Sequence, residues 1–128
     1  MMKLFLLSFV LVAQPVFVFA CSCNFGNLNK ALKYPTAAES AFIALYKDGY
    51  FEVRKNWKPV PSLKFKTESS WPGHTTKCDL NLDSGQEYLI ISTEKAKEPF
   101  QLNICSSSAF KVSEAKEIIS KLNKSTKR

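Results

Sequence analysis

The placement of four cysteines sets the tightest limit on what this chain can fold into. Cys21 and Cys23 stand directly behind an apolar leader, whereas Cys78 and Cys105 are isolated far downstream. The leader opens with Met1-Met2-Lys3 and is nearly all apolar through residues 4–20, interrupted late by Gln14 and Pro15. It ends Val18-Phe19-Ala20, with small or modest residues where signal peptidase reads. We therefore expect residues 1–20 to be a secretory signal peptide. Residues 21–128 are then one secreted or periplasmic domain. The apolar run is short for a membrane span, and no basic stop-transfer flank follows it.

An even number of cysteines in an exported chain reads as two disulfides. A zinc cluster does not fit, because only Cys21 and Cys23 are close in sequence and His74 is the single histidine. No metal or cofactor is expected in the free protein. In an extended segment the side chains of Cys21 and Cys23 run parallel, which disfavours a bond between them. Each then reaches either Cys78 or Cys105. Both arrangements staple the extreme N-terminus to the body at two points. Chain ends are normally loose, so a rigid one suggests that its free end is used.

The hydrophobic pattern beyond the leader points to strands. Asn27 can cap a short helix carrying Leu28, Ala31 and Leu32, which Tyr34-Pro35 would stop. Residues 42–46 are a compact apolar run, followed by Lys47-Asp48-Gly49, a hairpin turn signal. Phe51, Val53 and Trp57 then share one face against Glu52, Arg54 and Asn56, with Lys55 as a misfit. Pro59 and Pro61 end that strand. Leu63, Phe65 and Thr67 alternate with Lys64, Lys66 and Glu68. A long polar connection over residues 69–86 holds Trp71, His74 and Cys78. Residues 88–91 read as a well-buried strand, and Phe100, Leu102 and Ile104 as a last one running into Cys105. Val112, Ala115, Ile119 and Leu122 form the stripe of a terminal helix beginning at Ser113. The expectation is an all-β, five-stranded barrel with a short N-terminal helix and a C-terminal helix.

Cys21-Ser22-Cys23 at the cleavage site resembles the opening of the tissue inhibitors of metalloproteinases. The Trp57-Lys58 pair, Phe65-Lys66-Thr67 ahead of a lone Cys78, Gly85-Gln86-Glu87-Tyr88-Leu89-Ile90 and Cys105-Ser106 before a terminal helix extend the likeness over most of residues 21–124. It reaches the wider netrin-like group, whose barrel is of the OB type. The resemblance implies the pairings Cys21–Cys78 and Cys23–Cys105. It also implies inhibition of a zinc metalloprotease, with the α-amine and carbonyl oxygen of Cys21 chelating the target's catalytic zinc and Ser22 entering the main specificity pocket. The chain departs from the family's inhibitors in three ways. It has Asn24-Phe25-Gly26-Asn27 where they carry a Pro- and His-containing stretch, and it lacks their third disulfide and their second domain.

Those departures leave two other readings. One is a non-inhibitory netrin-like binding or structural module. The net charge of +7 would then serve anionic polymers through Lys64, Lys66, Lys116, Lys124 and Lys127-Arg128. The other is a membrane-anchored lipoprotein acylated at Cys21, which would leave an odd cysteine and block the amine. Without such lipidation no membrane association is expected. Trp57, Trp71 and Phe65 could stack on nucleic-acid bases, but export argues against a nucleic-acid partner. No enzyme signature is present. His74 has no nucleophile or carboxylate at a known spacing, and Asp79 and Asp83 are an ordinary surface pair. Asn123-Lys124-Ser125 fits a glycosylation acceptor.

Overall fold

Two residues with positive φ set the first hairpin. Asp48 (φ 50°) and Gly49 (φ 82°) form a two-residue turn between β1 (Ser40–Lys47) and β2 (Tyr50–Asn56). Positive φ at both positions gives the twist that adjacent antiparallel strands need. The computed structural model describes residues 23, 25–69 and 79–126. The expected signal peptide lies outside the described residues.

Four further strands follow: β3 (Lys64–Ser69), β4 (Gln86–Ser92), β5 (Phe100–Leu102) and β6 (Ser107–Lys111). They join in one sheet, ordered β5-β3-β2-β1-β4-β6, that curves into a nearly closed, barrel-like wall. All pairings are antiparallel except β3 with β5. Among the described residues two α-helices, α1 (Gly26–Lys33) and α2 (Lys116–Thr126), accompany the sheet.

The strand count corrects the expectation of five. The last expected strand stops at Leu102 because Asn103 turns the chain. Its Oδ1 accepts the Cys105 N–H at 2.8 Å, and its carbonyl accepts the Ser107 N–H at 3.0 Å. An asparagine that captures an N–H two residues on makes a turn of its own side chain. Beyond this turn the chain resumes as β6 and pairs with β4. Asn27 is a smaller correction. Phe25 occupies the cap position of α1 without a side-chain bond, and Asn27 lies inside the first turn.

Lys55, the misfit in the second strand, has a physical explanation. Ile43 faces Lys55 and Ala44 faces Val53, so Arg54 is an extra residue, a β-bulge. The bulge flips side-chain parity. Phe51 and Val53 point into the barrel, whereas Lys55 and Trp57 lie on the other side, with Trp57 packed in the helix-side cluster.

The two faces of the sheet carry separate cores. Inside the barrel, Phe42, Phe51, Phe65 and Phe100 meet mostly edge-to-face with centroids 5.4–6.2 Å apart, a favourable geometry for aromatic quadrupoles. Ala44, Tyr88, Ile90 and Leu102 complete this cluster. Outside, Ala41, Leu89 and Ile91 meet Ala31 of α1 and Leu122 of α2. Every residue of β4 from Tyr88 to Ser92 is thus buried, which is why its sequence shows no alternation.

Candidate functional site

Cys23 is disulfide-bonded to Cys105, with Cα atoms 5.2 Å apart. The bond attaches the segment ahead of α1 to the turn between β5 and β6. That turn is held on both sides. Asp79 forms an isolated bridge with Asn103, and the Leu80 N–H donates to the Leu102 carbonyl at 3.1 Å. Opposite, the Thr93 N–H donates to the Ser106 carbonyl at 2.8 Å. The anchor for the N-terminal segment is therefore part of the sheet rather than a hanging loop.

Cys21, Ser22 and Cys78 lie outside the described residues, as do Trp71 and His74. Of the expected site residues the structure places Cys23 and Cys105, and brings them together.

Beneath the anchor three buried serines meet. Ser107 Oγ donates to Ser92 Oγ at 2.8 Å, the Glu94 N–H donates to Ser92 Oγ at 3.1 Å, and Ser40 Oγ donates to the Glu94 carbonyl at 2.6 Å. Their hydroxyls satisfy one another and the backbone where β4 leaves the sheet, as buried polar groups must. This cluster braces the end of β4 against β1 and β6. Sequence reading missed it, since three serines in separate strands carry no local signal.

Around Thr93 the surface is hollowed. One depression of about 260 Å³ runs from Asn27 and Lys30 to Thr93 and Glu39. A second of about 420 Å³ shares Glu39 and is floored by Ala38, Val60, Pro61 and Ala96. Thr93 is also the residue bonded to Ser106, next to Cys105.

Of the basic residues considered for anionic polymers, the structure places Lys64, Lys66, Lys116 and Lys124. The Lys64 ammonium lies 5.3 Å from the ring centroid of Tyr50, a cation–π contact. Lys66 is exposed, and its backbone N–H donates to Glu98 at 2.8 Å. Lys116 and Lys124 border a groove along α2. Lys127 and Arg128 lie outside the described residues.

Of the aromatics considered for base stacking, Phe65 and Trp57 are engaged in packing. Phe65 is fully buried in the barrel. Trp57 is half-buried, and its indole N–H donates to Asn123 Oδ1 at 3.1 Å. The same oxygen accepts from the Lys55 ammonium at 3.0 Å, so the asparagine of the glycosylation pattern also pins α2 to β2.

Asp79 and Asp83 stand apart in role. Asp79 pairs with Asn103, and the Asp83 N–H donates to the Tyr88 hydroxyl at 2.8 Å. Among the described residues no cluster of three or more metal-ligating side chains occurs, and no helix is long and apolar enough to cross a membrane. No protein-family model, curated protein or solved structure matches the chain.

Proposed function

We propose that this is an exported barrel of the OB type that inhibits a zinc metalloprotease through its N-terminus. The observation that carries the reading is the Cys23–Cys105 bond. It fixes the backbone two residues beyond Cys21 to a turn braced by β4. Support for the barrel type comes from the pairing. β1, β2 and β3 form a meander, β1 also pairs with β4, and β3 runs parallel to β5.

The chemistry requires that cleavage leave Cys21 first. A catalytic zinc keeps three protein ligands and one exchangeable position. The Cys21 α-amine, with a reference pKa near 8, loses its proton beside the dication and becomes a ligand. The Cys21 carbonyl oxygen completes a chelate, and Ser22 enters the specificity pocket. Rigid anchoring lowers the entropy lost on binding.

The test begins with the intact mass of the exported protein, before and after reduction and alkylation. A chain starting at unmodified Cys21, with no alkylatable thiol until reduction, is expected. Titration against a panel of zinc proteases should then give inhibition that disappears when one alanine is added ahead of Cys21. A fatty-acyl mass increment identifies the lipoprotein instead. An unmodified N-terminus without inhibition leaves the non-inhibitory netrin-like module.

A further inference from the structure

We propose that the hollow between the start of β1, the β2–β3 connection and the β4–β5 connection binds a short apolar peptide with both ends free. It encloses about 420 Å³, within the range of roughly 300–1,000 Å³ usual for small-molecule sites. Its floor belongs to the cores on both faces of the sheet. Ala38 is buried in the helix-side cluster, and Val60 and Ala96 pack against the barrel cluster.

The walls are three segments distant in sequence, and hydrogen bonds tie them together. The Glu39 N–H donates to the Ser92 carbonyl at 3.0 Å, and Ser40 Oγ donates to the Glu94 carbonyl at 2.6 Å. These bonds fix the start of β1 against the β4–β5 connection. The Trp57 N–H donates to the Ala41 carbonyl at 2.9 Å, and the Lys58 ammonium donates to the Thr36 carbonyl at 2.9 Å. These fix the β2–β3 connection on the other side. The hollow is therefore preformed, and a ligand need not order its walls.

Glu39, Lys58 and Lys95 line it together. The Thr36 carbonyl takes one of the three N–H donors of Lys58 and leaves two. Among the described residues Glu39 and Lys95 form no ion pair, either with each other or with Lys58. One apolar-floored hollow thus holds an acid and two bases that do not neutralise one another. The complementary ligand carries a cation and an anion held apart by apolar atoms. A dipeptide has this form, because its two ends are more than one Cα–Cα step of about 3.8 Å apart. Its carboxylate goes to Lys58 and Lys95, its α-ammonium to Glu39, and its side chains onto Ala38, Val60 and Ala96. A polyanion would be repelled by Glu39, and a simple carboxylic acid would leave that group without a partner. The inference does not depend on the reading of Cys21.

The experiment titrates the purified protein with the dipeptide Ala-Leu and follows the Ala38 and Ala96 amide resonances by NMR. Saturable shifts at both are expected. N-acetyl-Ala-Leu and Ala-Leu-amide, each lacking one charge, should bind about fivefold more weakly, the loss of one exposed ion pair. Glu39→Gln and the double variant Lys58→Gln/Lys95→Gln should weaken Ala-Leu binding by at least as much, with an unchanged circular dichroism spectrum. Glu39→Gln breaks no side-chain ion pair of the protein, so it tests the site without loosening a wall. Absence of saturable shifts overturns the proposal, as does equal binding of either blocked dipeptide or undiminished binding to Glu39→Gln.

Discussion

Cys23 and Cys105 are bonded across 82 residues of sequence, and the bond ties Cys23, ahead of α1, to the turn that separates β5 from β6. Closing so long a loop removes much of the unfolded chain's freedom. Chain-entropy reasoning assigns the bond about 4 kcal/mol. We predict that Cys23→Ser combined with Cys105→Ser lowers unfolding free energy by about that amount. Denaturant titration measures it, and a loss under ~1 kcal/mol would contradict the role assigned to the bond.

Phe51 is fully buried and touches the rings of Phe42, Phe65, Phe100 and Tyr46. Phe51→Ala removes both the buried area and the ring contacts. A cost of about 3–5 kcal/mol is expected, read as a lower denaturation midpoint with an unchanged slope.

Ser92 sits between Ser107 and the Glu94 backbone. Ser92→Ala withdraws the oxygen that accepts both of their hydrogen bonds, in a place closed to water. The expected destabilisation is about 1–3 kcal/mol, far more than a surface serine would give. Hydrogen exchange of the Glu94 amide should quicken in the variant, and a protected amide would remove the explanation.

Gly49 has φ 82° and open space where a Cβ would stand. Gly49→Ala therefore meets no clash, and only the left-handed backbone is penalised. The cost should be about 1–2 kcal/mol, measured by thermal unfolding. Gly49→Asn, a residue more tolerant of that region, should recover part of the loss.

Trp57→Phe keeps a ring in the helix-side cluster but loses the hydrogen bond to Asn123. About 1 kcal/mol of stability should disappear. Exchange protection should fall first in α2, because that bond and the Lys55 bond join the helix to β2. Uniform loss of protection across the sheet would argue against a local role.

The first hairpin, the buried fourth strand and the terminal helix were legible locally. Asp48-Gly49 supplies its own turn, and Ile119 and Leu122 need only helical periodicity to be seen, although the helix starts at Lys116 rather than at the expected Ser113, behind a short 3-10 turn at Val112–Glu114. The candidate site was legible only in its cysteines. Their spacing argued for distant partners but not for which one, and Cys23–Cys105 rested on resemblance. The serine brace under the anchor was invisible, because Ser40, Ser92 and Ser107 meet only after three strands align.

What the sequence determined by itself is therefore the periodicity of single segments: most of the strands, the turn at Asp48-Gly49, and the apolar helix face. Those signals come from neighbours within a few residues. Tertiary structure decided the rest. Arg54 bulges only relative to the register that β1 imposes, and that one residue moves Lys55 and Trp57 to the opposite face from Phe51. Asn103 ends the last expected strand at Leu102, and the chain beyond the turn, which the sequence did not mark as a strand, pairs with β4 as β6. Backbone hydrogen bonds between distant strands choose the register and the partner, and no local pattern of side chains encodes either.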